Sequence, residues 1–243
     1  MTLELRYAVR SDVGLLREGN EDSAYAGPRL LAVADGMGGH AAGEVASAAV
    51  IDALRPLDTQ VPAGELLNAL DHAVRRASSA LRDIATGDPS KHGMGTTLTA
   101  MLWSGSQLGL VHIGDSRAYL VRDGEVFQIT HDHTVVQSLL DDGKITADEV
   151  VSHPQRSLLL KALDADGGHE PDLQLHDAQP GDRYLLSSDG LHQVANADAI
   201  TRVLLTVPDT EQAASDLIAL AIDGGAPDNI SCIVADVTTL TEL

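Results

Sequence analysis

Short acidic motifs recur along the chain where a strongly apolar run gives way to a loop. Asp35 ends the run LLAVAD, Asp189 ends YLLSSD, Asp228 opens DNISCIVADV, and Glu21 and Asp22 close GNED. Carboxylates collected at strand ends repel one another, and a like-charge pair about 4 Å apart costs roughly 4 kcal/mol at an effective dielectric near 20. A divalent cation offsets that repulsion, and an all-oxygen ligand set favours Mg²⁺ or Mn²⁺ over Zn²⁺. The sequence therefore predicts a metal-dependent hydrolase.

Composition limits the class of protein. The 243 residues suit one domain spanning 1–243, and the 44% of hydrophobic residues suffice for a core that must be aliphatic, since only 2% are aromatic. The formal net charge of −20 opposes binding to nucleic acid, because that affinity comes mainly from Lys and Arg on phosphates. Few aromatic side chains are available to stack on single-stranded bases. We expect no nucleic-acid partner.

Cysteine usage and apolar run lengths bear on the compartment. Cys232 is the only cysteine, so no internal disulfide is expected, and its apolar surroundings in ISCIVADV predict a small buried side chain rather than a nucleophile. The sequence begins without a secretory pattern, and no apolar run approaches the ~20 residues of a membrane span. We expect a cytoplasmic protein without membrane contact.

Periodicity predicts strands in runs and helices in pairs. The first 35 residues indicate two strands joined by a loop through Asp22, and the pair Asp123-Gly124 predicts a tight hairpin turn. Thr146 with Glu149 indicates a capping box within a segment of short helices from about 131 to 168. This order favours an α+β layered fold with mainly antiparallel sheets. Strands are predicted over 3–14, 29–35, 96–103, 107–114, 116–122, 125–130, 172–178, 182–188 and 230–237, and helices over 42–54, 63–85, 197–205 and 210–222.

Taken in order, seven motifs resemble the metal-dependent protein serine/threonine phosphatases of the PPM, or protein phosphatase 2C, family in its bacterial form. They are SDVGLLREGNEDS, ADGMGGHAAGEVAS, GMGTTLTA, IGDSRAYLVRDGEVFQITHDHT, HPQRSLLLKAL, LLSSDGL and APDNISCIVADV. The resemblance covers nearly the whole chain. It implies a four-layer α-β-β-α sandwich, with two mainly antiparallel sheets flanked by helix pairs. It also implies that 131–168 forms a flap beside the active site.

The resemblance implies two Mn²⁺ or Mg²⁺ ions in the active site. Asp35 matches the ligand that bridges both metals, and the carbonyl of Gly36 matches a further ligand of one of them. The small residues after Asp35 suit close approach of backbone to an ion. Asp189 and Asp228 match the other ligands of the first metal.

The remaining site residues are also assigned by resemblance. Glu21 and Asp22 match an acidic pair that reaches the second metal, partly through water, and Asp115 matches a ligand of a third, weaker metal site. Arg17 matches a phosphate-binding arginine, whose guanidinium fork suits two phosphoryl oxygens. Asn229 either orients a ligand or contacts the phosphoryl group, and a purely structural role is the alternative.

The implied reaction is direct, in-line attack of a metal-bridging water on phosphorus, with Asp35 and Arg17 as the catalytic residues. One position departs from the pattern: Met37 stands where several relatives carry a histidine proposed to protonate the leaving group, and a thioether cannot donate a proton. His40 is the nearest histidine in sequence, and we expect it to be structural. We expect no catalytic role for His192.

Three functions stay open at this point. The first is a monomeric phosphatase acting on phosphoserine and phosphothreonine in proteins, with a Ser/Thr kinase and its substrates as partners. The second is a phosphoesterase for small molecules, which competition between a phosphopeptide and metabolite phosphates distinguishes. The third is a catalytically inactive regulatory binding module, which predicts that Mn²⁺ does not bind.

Overall fold

Two antiparallel sheets form the centre of the protein, seen in a computed structural model that describes residues 3–38 and 42–239 and their side chains, except that of Val151. All paired strands in these residues run antiparallel. The five-stranded sheet has the order β1 (Leu3–Asp12), β12 (Ile230–Thr239), β11 (Arg183–Ser187), β7 (Arg117–Arg122) and β8 (Glu125–Gln128). The seven-stranded sheet has the order β10 (Asp172–Asp177), β6 (Gln107–Ile113), β5 (Leu98–Ser104), β3 (Leu30–Met37), β4 (Gly95–Thr96) and β9 (Leu163–Asp164), and β2 (Asp22–Ala26) pairs with β3.

A pair of helices covers the outer face of each sheet. Helices α1 (Ala42–Leu54) and α2 (Leu66–Gly87) share one apolar cluster with the seven-stranded sheet, and α6 (Ala197–Thr206) and α7 (Thr210–Asp223) share another with the five-stranded sheet. A third cluster lies between the sheets. The predicted four-layer α-β-β-α sandwich is therefore confirmed. Shorter helices are α3 (Val135–Asp141), α4 (Ala147–Ser152) and α5 (Asp189–His192).

The layer between the sheets is almost entirely aliphatic, as the composition predicts. Leu31 on β3, Met101 on β5, and Leu186 on β11 are fully buried there. Its main aromatic contact joins Trp103 and Tyr184 edge to face, with ring centroids 5.5 Å apart. Burial of these side chains from both sheets fixes the distance between the strand ends that carry the acidic residues.

Most predicted elements are confirmed, with shifted ends. The helix predicted over 63–85 starts at Leu66, after a 3₁₀ turn, and continues to Gly87. The hairpin at Asp123 and Gly124 is confirmed, with φ angles of 53° and 80°. In the capping box of α4, the Glu149 carboxylate accepts a hydrogen bond from the Thr146 backbone N–H at 2.8 Å.

One prediction is wrong. The segment after Asp22 is the strand β2 rather than a loop, and its register places Asp22 opposite Asp35 on β3. This five-residue strand carries only weak strand propensity, so its pairing with β3 decides its conformation. Residues 39–41, which include His40, lie outside the described residues. No helix within 3–38 and 42–239 has the length and apolar character needed to cross a membrane.

The packing between the sheets predicts a large cost for truncating Leu186, which is 0% exposed. We expect Leu186→Ala to lower the free energy of unfolding by about 2–5 kcal/mol, because it leaves a cavity that neighbouring strands cannot fill. Leu175→Ala is the control: Leu175 is 48% exposed, and its truncation should cost about 0.5 kcal/mol or less. Urea unfolding measures both, and equal losses would contradict the assignment of the core.

Candidate active site

The predicted site residues come together at one opening between the sheets. A cavity of about 270 Å³ lies where β3 ends, where β11 passes into α5, and where the loop before β12 turns back. Eight of the nine predicted site residues line it: Arg17, Glu21, Asp35, Gly36, Asp115, Asp189, Asp228 and Asn229. Residues separated by more than 200 positions thus share one wall, and the fold collects the acidic motifs as the sequence predicts.

Asp22 is the predicted site residue that does not line this cavity. Its carboxylate is buried behind the wall, where Oδ2 accepts a hydrogen bond from the Ser188 hydroxyl at 2.7 Å. Its Oδ1 is buried without a hydrogen-bond partner among the described residues. Burial first, and then the charges of Asp189 and Asp228, raise the pKa of Asp22 to about 7. The Asp22 carboxylate therefore lies behind the cavity wall, although Asp22 pairs with Asp35 across β2 and β3.

Hydroxyl groups fix the backbone of Asp35. Its N–H donates to the Thr97 hydroxyl at 3.0 Å, and the Thr96 hydroxyl donates to its carbonyl at 2.8 Å. The Thr97 and Ser116 hydroxyl oxygens are 2.6 Å apart, which links this strand to the residue after Asp115. The sequence analysis assigns no role to these positioning residues, although the adjacent threonines are part of the motif GMGTTLTA.

Gly36 must lack a side chain because the chain is crowded at this point. A Cβ on Gly36 would overlap the backbone of Gly43 at the start of α1 and lie 2.6 Å from the Glu21 carbonyl oxygen. The Gly36 N–H also donates to that Glu21 carbonyl at 3.1 Å. This close approach brings residues 19–22, the acidic loop, into contact with the end of β3 and with α1.

Arg17 and Asp228 form an ion pair at the mouth of the cavity. Nη2 of Arg17 donates to Oδ2 of Asp228 at 2.6 Å, while Oδ1 of Asp228 accepts the Asn229 backbone N–H at 2.8 Å. The Arg17 side chain is 50% exposed. Because half of the side chain is exposed, the guanidinium is accessible to an anion that enters the cavity.

The side chain of Asn229 is hydrogen-bonded to the backbone of the acidic loop. Its Oδ1 accepts the Glu21 backbone N–H at 2.8 Å, and its Nδ2 donates to the carbonyls of Val13 and Gly19, each at 2.9 Å. Both amide hydrogens are thus committed to backbone. Of the two roles that the sequence left open, this geometry favours the structural one.

Mutual repulsion and burial shape the electrostatics of the cavity. The pKa values of Asp35 and Asp115 are raised well above the ordinary range, chiefly by burial and next by the charge of Asp189. Burial, followed by the charge of Asp228, raises the pKa of Asp189 to about 6. Carboxylates that are buried together and repel one another are stabilised by a cation more strongly than by any single protein donor.

As the side chains are placed, no three His, Cys, Asp or Glu groups among residues 3–38 and 42–239 are arranged to hold a metal ion. In this arrangement several carboxylate oxygens face protein donors: Arg17 holds Asp228, Ser188 holds Asp22, and the Gln193 amide holds Oδ2 of Asp189. The donor set nevertheless fits Mn²⁺ or Mg²⁺. It consists of carboxylates, and one buried oxygen of Asp189 has no partner among the described residues.

The remaining candidates separate by position. Met37 lines the cavity, whereas His192 is absent from its wall, and burial lowers the pKa of His192 well below the usual range. Cys232 is buried as predicted, and burial raises the pKa of its thiol to about 12. Ser157 and Leu159, from the segment predicted to be a flap, complete the cavity wall.

Comparison with known proteins identifies relatives along nearly the whole chain. Residues 20–220 match the family described as Protein phosphatase 2C. The serine/threonine protein phosphatase PstP of Mycobacterium tuberculosis is 57% identical over 239 residues, which are 98% of this chain and 46% of that protein. This chain thus spans about half the length of that curated relative. The serine/threonine phosphatase stp of Listeria innocua is 32% identical over 236 residues, 93% of this chain and 94% of that protein.

Solved structures agree with the sequence comparison. The crystal structure of the M. tuberculosis phosphatase PstP/Ppp has a TM-score of 0.93 at 56% identity, over 97% of this chain and 100% of that one. The catalytic domain of PstP in complex with two manganese ions has a TM-score of 0.92 at 54% identity, over 98% of this chain and 100% of that one.

The contacts of Asn229 predict the effect of its removal. Asn229→Ala should lower the free energy of unfolding by about 2–4 kcal/mol, because three backbone groups lose a partner worth about 1 kcal/mol each. It should also speed amide exchange at Glu21. The control Asn196→Ala removes one N-cap bond of α6 and should cost about 1 kcal/mol without that change. Unfolding and hydrogen exchange measure these effects, and unchanged exchange at Glu21 would contradict the role.

Proposed function

The chain belongs to the protein phosphatase 2C family, and from this premise we propose that it is a metal-dependent phosphatase that hydrolyses phosphoserine and phosphothreonine in proteins. The observation that carries the proposal is the collection of eight predicted site residues around one acidic cavity with an arginine at its mouth. The names of the relatives, serine/threonine phosphatases in both Mycobacterium and Listeria, support the substrate class.

In this proposal Asp35, Gly36, Glu21, Asp189 and Asp228 hold two Mn²⁺ or Mg²⁺ ions. When bound, the cations lower the pKa of water, which supplies the attacking nucleophile, and they stabilise charge on the phosphoryl oxygens. The protein contributes the position of each ligand. The threonine hydroxyls on its backbone fix Asp35, and crowding against α1 fixes Gly36. Asp115 is the proposed ligand of a third, weaker site.

Arg17 is proposed to orient the phosphoryl group. Its guanidinium fork exchanges Asp228 for phosphoryl oxygens, and half of its side chain already faces solvent. Met37 leaves that part of the wall without a proton donor, and no histidine appears among the described residues of the cavity. Water is therefore the proposed source of the proton that the leaving alkoxide requires.

The proposal extends to partners. A phosphoserine or phosphothreonine is made by phosphoryl transfer to a hydroxyl, so a Ser/Thr kinase and its substrates are the expected partners. We include a monomeric state and a cytoplasmic location. The segment 131–168 is proposed to act as a flap, because Ser157 and Leu159 already form part of the cavity wall.

The first test is release of phosphate from a phosphothreonine peptide. We expect turnover with Mn²⁺, none with EDTA, and a loss of at least about 100-fold in kcat for Asp189→Asn, which removes a charged ligand. Asp216→Asn is the matched control, because this helical Asp bonds to Gln212 far from the cavity, and it should retain full activity. Turnover in EDTA, or full activity of Asp189→Asn, would overturn the mechanism.

A competition experiment addresses the small-molecule alternative. With the phosphothreonine peptide as substrate, metabolite phosphates at equal concentration should inhibit turnover only slightly, since they would engage Arg17 and the cations held by the carboxylates but nothing beyond the cavity. Preferential hydrolysis of the metabolites would replace the proposed substrate class. Absence of both Mn²⁺ binding and turnover would favour the inactive regulatory module.

Metal binding should also stabilise the fold. A ligand that binds only the folded state, at about 100 times its Kd, adds about 2.7 kcal/mol. For a chain of this size we expect Mn²⁺ to raise the Tm by about 5–10 °C over the value in EDTA. Thermal unfolding monitored by circular dichroism measures the shift, and Asp189→Asn should reduce it. A Tm that is the same in Mn²⁺ and EDTA would argue against the carboxylate cluster as the metal site.

A further inference from the structure

Gln193 stands immediately after the one-turn helix α5 and is tied twice to the residue that starts it. Its backbone N–H donates to the Asp189 carbonyl at 2.9 Å. Its side-chain Nε2 donates to Oδ2 of the Asp189 carboxylate. Because α5 is so short, the side-chain bond spans the whole turn, and it fixes the carboxylate relative to its own backbone.

The two oxygens of the Asp189 carboxylate have different surroundings. Oδ2 accepts the Gln193 amide, whereas Oδ1 is buried and lacks a hydrogen-bond partner among the described residues. A side chain held at one oxygen cannot rotate freely, so Oδ1 keeps its direction. The donor is neutral, unlike Arg17 on Asp228, so this bond orients the Asp189 carboxylate without itself neutralising the charge.

Gln193 also forms part of a second pocket, of about 220 Å³, which shares Asp115 with the carboxylate cavity. Thr134 and Gln137, from the segment proposed as a flap, line its other side. Gln193 thus links the carboxylate cavity to the second pocket. Its amide is bonded to Asp189, which lines the cavity, and its side chain lines the second pocket.

We propose that Gln193 is a positioning residue for Asp189: its amide holds Oδ2 so that Oδ1 is presented to a divalent cation. This inference rests on the proposed function. Orienting partners of metal-bound carboxylates commonly change metal affinity 10–100-fold when they are removed. A role limited to the stability of α5 would instead lower the Tm without a selective effect on metal binding.

The test is a calorimetric titration of Mn²⁺ into wild-type protein and two pairs of variants. Gln193→Met keeps the length of the side chain and removes the donor, and Gln193→Asn keeps the amide but shortens its reach. Gln137→Met and Gln137→Asn are the matched controls. Gln137 lines the same pocket and donates to Oδ1 of Asp141 at 2.8 Å, a carboxylate outside the cavity.

We expect both Gln193 variants to bind Mn²⁺ about tenfold more weakly than wild type, and both Gln137 variants to bind as wild type does. Melting temperatures recorded in EDTA should fall by similar small amounts in the Gln193 and Gln137 variants, because each loses one side-chain hydrogen bond. With the phosphopeptide, the Mn²⁺ concentration for half-maximal activity should rise in the Gln193 variants, whereas KM for the peptide should stay unchanged.

Wild-type Mn²⁺ affinity in both Gln193 variants would overturn the inference and leave the proposed function intact. Equal losses in the Gln193 and Gln137 variants would also overturn it, because the effect would belong to the pocket rather than to the bond with Asp189. Failure of the wild-type protein itself to bind Mn²⁺ would overturn the proposed function together with this inference, so the two failures are distinguishable.

Discussion

Repulsion among buried carboxylates is the constraint around which this part of the protein is built. Asp22, Asp35, Asp115 and Asp189 are desolvated at one junction of the two sheets, and burial raises the pKa of each of them. Such a cluster opposes folding. The aliphatic layer between the sheets offsets that cost and holds the strand ends in place. A rigid frame around buried carboxylates that repel one another is an arrangement that a bound cation would stabilise.

The frame fixes the acidic side chains mainly with neutral donors. Hydroxyls of Thr96 and Thr97 bind the backbone of Asp35, the Ser188 hydroxyl binds Asp22, and the Asn229 amide binds the acidic loop. Lysines or arginines at these positions would neutralise the carboxylates and weaken their attraction for a cation. The positive charge among the described cavity residues, Arg17, lies instead at the mouth, where its side chain is half exposed.

The cavity and the second pocket share a wall but differ in character. Asp115 belongs to both, and Gln193 separates Asp189 from the segment that carries Thr134 and Gln137. Within that segment, Thr134 and Leu159 pair with each other in an antiparallel β-bridge. One amide therefore connects the Asp189 carboxylate with the second pocket beside that segment.

The fold class, the order of most elements and eight of the residues that line the cavity could be predicted from the sequence. Apolar runs ending in acidic residues, such as LLAVAD and YLLSSD, carry the strand and its functional end in a few adjacent positions. Seven motifs in one order are enough to indicate the family. Local patterns of this kind are short-range, so they can be recognised from the chain alone.

Features that depend on contacts between residues distant in sequence could be learned only from the tertiary structure. Strand β2 exists because β3 offers it an edge, and that pairing sends Asp22 behind the cavity rather than into it. The side-chain amide of Asn229 is committed to backbone groups of Val13, Gly19 and Glu21, which lie more than 200 positions away. A side chain's hydrogen-bond partners follow from packing across the whole chain, and residue type sets only how many it can take.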